Sequence, residues 1–144
     1  MELTCINETV FSVDEQNIEK LCEWITEQST VELPAEISIV FVSEQRMAEL
    51  NQRYYGHRGA TDVLTFPYDN DVAEIILNPA QIQNQAPQFT NSFSEELAEN
   101  IIHSFLHLSG YDHTKEKGKS KHLSRQKELM TALKEKDSHL TLIE

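Results

Sequence analysis

Cysteine, glycine, proline and positive charge are all scarce in this chain, and each scarcity excludes something. Among 144 residues there are two cysteines, four glycines, four prolines and one tryptophan. Cys5 and Cys22 form no CxxC pair, so neither a disulfide framework nor a cysteine zinc module is expected, and free thiols in a reducing cytoplasm are. The few glycines and prolines rule out a collagenous or low-complexity chain. No apolar run approaches the roughly 18 residues of a membrane helix. The opening MELTCINETVFSVDEQ is acidic, with no basic stretch followed by an apolar one, so no signal peptide is expected. Twelve Lys and Arg face 24 Asp and Glu, a formal net charge of −12. Such a charge argues against a uniform polyanion-binding surface.

The cations that are present are unevenly placed. Lys115, Lys117, Lys119, Lys121, Arg125 and Lys127 fall in one short stretch, Arg53 and Arg58 lie in another, and Lys20 is the sole cation in the first 45 residues. An acidic body with one basic edge accounts for this, as does a solvated helix face of mixed sign.

Hydrophobic periodicity predicts the elements. Residues 2–9 suggest a strand, 14–27 an amphipathic helix through Ile18, Leu21, Cys22, Trp24 and Ile25, and 36–43 (EISIVFVS) a buried strand. A helix follows Ser43, then the loop GHRGA, then short strands at 63–66 and 73–77. Residues 78–93 suggest a loop or a short helix. Ser92 and Glu95 make a capping box for a helix that stops near Gly110, and a last helix is expected from about Lys119 to Lys134. With no repeat or linker, the expectation is one domain over 1–144. Its class is α/β or α+β, a small mixed sheet packed with helices.

The stretch HSFLHLSGYDH, residues 103–113, carries the chemistry. On a helix, His103 and His107 lie one turn apart, outside the apolar arc of Ile101, Ile102, Phe105 and Leu106, with Cβ atoms roughly 5–6 Å apart. Gly110 allows a sharp exit that returns His113 toward them. Three imidazoles with an open fourth position suit a catalytic Zn²⁺ carrying one water, although nickel, copper or iron also accept such ligands. The spacing is also that of the metzincin proteases, which need a glutamate after the first histidine as base. Ser104 stands there, so the protease reading lacks its base.

The motif resembles that of the YbeY family, bacterial rRNA maturation factors regarded as metal-dependent, single-strand-specific endoribonucleases. HSFLHLSGYDH matches the family pattern H-G-x-L-H-L-x-G-Y-D-H except at Ser104, where the family has glycine. NQRYYGHRGATDVLTFP (51–67) is similar to a second family block, an Asn-x-x-Tyr loop leading into P-T-D-V-L-S-F-P. The resemblance implies a fold with helices on both sides of a metal cleft, and His103, His107 and His113 as ligands of one zinc ion. It also implies action on single-stranded rRNA in 16S maturation and ribosome quality control, alongside ribosomal proteins or assembly factors of the small subunit. Three departures stand out. Tyr55 occupies the place of a family arginine thought to engage RNA. Ala73-Glu74 replaces a Gly-Asp, so the turn chemistry there is expected to differ. The lysine-rich TKEKGKSKH follows the last histidine of the motif in place of an acidic stretch.

Other roles follow from residue chemistry. Arg58 is the candidate phosphate contact, as a bidentate donor, and the 115–127 lysines would attract phosphates. Tyr54 and Tyr55 are suited to stacking on unpaired bases as well as to packing. Glu96, Glu99 and Asn100 share the histidine face and suggest either ring-orienting partners or a solvated edge. Thr61 and Asp62 are expected to fix a turn, and His57, His122 and His139 to lie at the surface, with His122 able to approach the cleft. The general base is not legible. A zinc-bearing assembly factor without catalysis is the alternative, and a metalloprotease the remote one.

Overall fold

A computed structural model of the chain describes residues 1–28, 32–110 and 116–144, with the side chains of 116–119 left aside. Its described elements are β1 (Glu2–Asn7), α1 (Glu15–Gln28), β2 (Glu36–Phe41), α2 (Glu44–Tyr55), β3 (Val63–Pro67), β4 (Val72–Leu77), α3 (Pro79–Gln85), a 3₁₀ turn (Ala86–Phe89), α4 (Phe93–Leu108) and α5 (Glu116–Lys136). The sheet order is β1-β2-β4-β3. β1, β2 and β4 run parallel, and β3 is an antiparallel edge paired to β4 through Leu64↔Ile76 and Phe66↔Glu74. The fold is α+β with a mixed sheet, as expected.

Period-two alternation divides the strands between two apolar layers. Ile37, Ile39, Phe41, Ile75 and Leu77 join α1, α4 and α5 in the larger core, where Ile18, Ile25, Leu97, Ile101 and Phe105 are buried. Val40, Val42, Leu64 and Ile76 face the other way, onto Met47 and Leu50 of α2. This is why the central strands look continuously apolar: both of their faces are covered.

The differences from expectation have local causes. β1 stops at Asn7 because the Asn7 side chain accepts from Thr9 N at 2.9 Å and donates to Phe11 O at 2.8 Å, turning the chain. Ala73 and Glu74 form no turn. They lie inside β4, and the turn falls earlier, where Asp69 Oδ1 accepts from the backbone N–H groups of Asp71 and Val72. Residues 79–89 are helical, in line with the short helix that was one reading of 78–93, and are started by Asn78, whose side chain accepts from Gln81 N. α5 starts at Glu116, before Lys119, and ends at Lys136.

Candidate metal centre and its cleft

α4 positions the histidines. Its capping box is complete, with Ser92 Oγ accepting from Glu95 N at 3.1 Å and Glu95 Oε1 accepting from Ser92 N at 2.8 Å. The apolar stripe then fixes the helix's rotation against the sheet, leaving His103 half-buried and His107 exposed one turn later. At the C-terminal end Gly110 takes φ +97°, where a side chain would be strained, and its N–H donates to His107 O at 3.1 Å.

His103 Nδ1 lies 2.9 Å from Gln126 Oε1 on α5. An amide oxygen only accepts, so Nδ1 is the donor of this bond, and in a neutral ring that arrangement leaves Nε2 as the nitrogen able to ligate a metal. The His103 ring also stacks on His122, with centroids 4.5 Å apart. His122 is thus buried, contrary to the surface position expected of it, because α5 packs along α4. Partial desolvation against its neighbours, and then the proximity of His103, push the His107 imidazole below its ordinary value, favouring the neutral form. A neutral ring is the form that binds a cation. Two imidazoles one turn apart are donors that a divalent ion such as zinc accepts, although among the described residues no group of three or more His, Cys, Asp or Glu is placed to hold one. His113, the expected third ligand, lies outside the described residues.

Beside His103 opens a cleft of about 390 Å³, lined by Asp62, Gln85, Glu96, Glu99, Asn100 and Gln126 among others. Gln85 Nε2 donates at 2.8 Å to both Asp62 Oδ2 and Glu96 Oε2, while Asn91 Nδ2 donates to Glu96 Oε1 at 2.9 Å. Glu96 and Asn100 are buried, and Asn100 Nδ2 donates to Glu96 O. Where a solvated edge was one of the two readings, buried Glu96 and Asn100 instead form part of a polar wall of the cleft. Glu99 is half-buried, and burial followed by the charge of Glu96 raises its carboxyl, with Lys134 opposing. Asp62 Oδ1 accepts from Val63 N at 2.8 Å, the expected turn role, while its other oxygen joins the cleft wall.

The family profile described as endoribonuclease YbeY matches residues 4–134. The chain belongs to the endoribonuclease YbeY family. The chain is 33% identical over 149 residues to endoribonuclease YbeY of Acidothermus cellulolyticus, across 92% of this chain and 91% of that protein. It is 44% identical over 84 residues to endoribonuclease YbeY of Thermodesulfovibrio yellowstonii, a match spanning 54% of this chain and 53% of that protein. The match to the Thermotoga maritima relative, also 44% identical, spans 59% of that protein. A solved structure, the solution structure of TM1509 from Thermotoga maritima, superposes with TM-score 0.66 at 30% identity over 93% of this chain and 90% of that one.

Within this YbeY-family chain, Ser104 is fully buried and accepts at 2.9 Å from Thr65 Oγ1 of β3. It joins helix to sheet and has no access to a reacting centre. Arg58 is exposed in the loop after α2, with no hydrogen bond or ion pair to a described residue. That loop is held by buried Asn51, whose Nδ2 donates to Gly59 O at 3.0 Å. Arg125 donates to Gln28 O at 2.9 Å and pairs with Glu128 at 3.0 Å. Lys121 and Lys127 are exposed, as are His57 and His139, while Lys115 and the side chains of Lys117 and Lys119 lie outside the described residues. Gln126, Gln85 and Asn91 went unnoticed in the sequence, since neutral amides carry no motif and acquire roles only through contacts made by folding.

Proposed function

We propose that this chain is a zinc-dependent endoribonuclease that cleaves single-stranded rRNA, acting in maturation of 16S rRNA and in ribosome quality control with small-subunit proteins or assembly factors. The observation that carries the reading is the His103–His107 pair, one helical turn apart beside an acid-walled cleft, in a chain of the endoribonuclease YbeY family. His103, His107 and His113 hold one zinc ion, which when bound supplies Lewis-acid stabilisation of charge developing on the phosphoryl group. Gln126 holds the His103 ring in its ligating tautomer. Glu99, protonated more readily than an ordinary carboxyl, can hold a proton beside the scissile position. Arg58, on the loop that Asn51 secures, binds phosphate. The peptidase reading finds no support, since buried Ser104 is engaged by Thr65 and cannot act as a base.

Cleavage of a single-stranded rRNA fragment by wild type and by His107→Ala, prepared identically with zinc added, tests this. Cleavage lost in the variant is expected, together with loss of the zinc-induced rise in melting temperature that a native-state ligand produces. Equal cleavage by both proteins would trace the activity to a contaminant. No cleavage by either, with the zinc shift intact, would favour the zinc-bearing assembly factor, for which the net charge of −12 suits a basic protein partner.

A further inference from the structure

Three of the chain's four tyrosines, Tyr54, Tyr55 and Tyr68, are exposed at 57%, 47% and 63% and gather around one phenylalanine. Tyr54 meets Phe66 edge-on with centroids 5.4 Å apart, Tyr55 stacks on it at 5.7 Å and Tyr68 at 6.4 Å. The rings come from the last turn of α2 and from the edge strand β3 with the residue after it, and among the described residues no further strand covers them. We propose that these four rings form a stacking platform for unpaired RNA bases. The proposal rests on the reading of the chain as a single-strand ribonuclease.

Three observations select this occupant. Tyr55 Oη donates to Thr65 O at 3.3 Å and Tyr68 Oη to Glu74 Oε1 at 2.8 Å, so two of the phenols are committed within the fold. What remains outward is ring surface, which every base can stack on irrespective of sequence. A cation sits against one of the rings: the Arg53 guanidinium lies 5.5 Å from the Tyr54 centroid. Continuity with the histidine helix runs through one residue. Thr65 accepts from Tyr55 on one side of the sheet edge and donates to Ser104, next to His103 on α4, on the other. A strand stacked on the platform needs only to round β3 to reach the histidines.

The test is fluorescence anisotropy with an unstructured single-stranded oligoribonucleotide, its integrity checked after each titration. Binding is compared for wild type, Tyr54→Leu/Tyr68→Leu and Tyr54→Phe/Tyr68→Phe, and for wild type with an abasic strand of equal length. The expected result is about a tenfold loss in the leucine pair, near-wild-type affinity in the phenylalanine pair, and weaker binding of the abasic strand. Wild-type affinity in the leucine pair, equal losses in both pairs, or equal binding of abasic and base-bearing strands would each overturn the platform. The abasic comparison needs no variant and so is independent of folding. Absence of RNA binding by wild type also overturns it and leaves the rings to a protein partner. Cleavage scored in parallel separates the two readings: ring-dependent binding without cleavage sinks the nuclease and keeps the platform, while cleavage with unchanged affinity in the leucine pair sinks the platform alone.

Discussion

Ser104 shows how one side chain can exclude a chemistry and hold a fold together. Its hydroxyl accepts from Thr65 with the residue fully buried. Ser104→Ala is expected to cost about 1 kcal/mol, the net worth of one such bond, with RNA cleavage unchanged. Ser104→Gly, which installs the family's own residue, should cost about 1 kcal/mol more, because glycine is the poorer residue within a helix. Urea unfolding measures both, and loss of cleavage in a folded Ser104→Ala protein would contradict the structural role. Glu99 makes a pH-dependent prediction. Its carboxyl is raised above 4.5 in the fold, so the folded state holds the proton more tightly than the unfolded one. Its contribution is favourable below that value and is lost as pH rises through the folded pKa. Glu99→Gln should therefore gain stability relative to wild type across that window and keep a constant difference above it, as read from urea midpoints at stepped pH. Cys22 is buried with its thiol pushed up, and Cys5 is raised to about 11. A thiol reagent near pH 8 should label Cys22 only after denaturant is added.

At the scale of elements, α4 supplies the core stripe, the cleft wall and two histidines at once. Its start is fixed by the Ser92–Glu95 box, and Ser92→Ala should cost about 1 kcal/mol by urea unfolding. Because Phe105, Ile101 and Leu97 hold the rotation of the helix, the zinc affinity proposed for the histidines should be little changed in that variant. A parallel loss of zinc binding would mean that the box also orders the histidine end. α5 acts on the site from outside, through Gln126 and His122, and is itself tied to the end of α1 by Arg125.

At the scale of the whole molecule, distant segments close the larger core. Residues 140–144 return beside the start of α1, with Asp14 N donating to Leu142 O and Ser12 exchanging two backbone bonds with Glu144. Ser94 Oγ accepts from Leu142 N at 2.8 Å, so the first turn of α4 anchors the same segment. Leu142 is fully buried, and Leu142→Ala is expected to cost 2–5 kcal/mol, about the range of large-to-small core changes. A change below 1 kcal/mol, as for a typical surface substitution, would mean that this segment is not part of the cooperative unit. Among the described residues no helix is long and apolar enough to cross a membrane.

What the sequence determined by itself was whatever depends on short-range periodicity. The apolar spacing of α1 and α4, the Ser92 capping box, the Gly110 stop and the i,i+4 placement of His103 and His107 are all set by neighbours within one or two turns, and each is present. Element ends were less legible where side chains turn the backbone, as Asn7 and Asp69 do. Only the tertiary structure decided which polar residues face one another. His122, expected at the surface though able to approach the cleft, lies buried on His103, and Glu96, for which a solvated edge was one reading, is bonded by Gln85 and Asn91. Those pairings join elements whose approach is governed by burial of the apolar layers. Burial is non-directional and fixes how the layers pack without reference to the polar groups carried along, so their partners cannot be read from the chain alone.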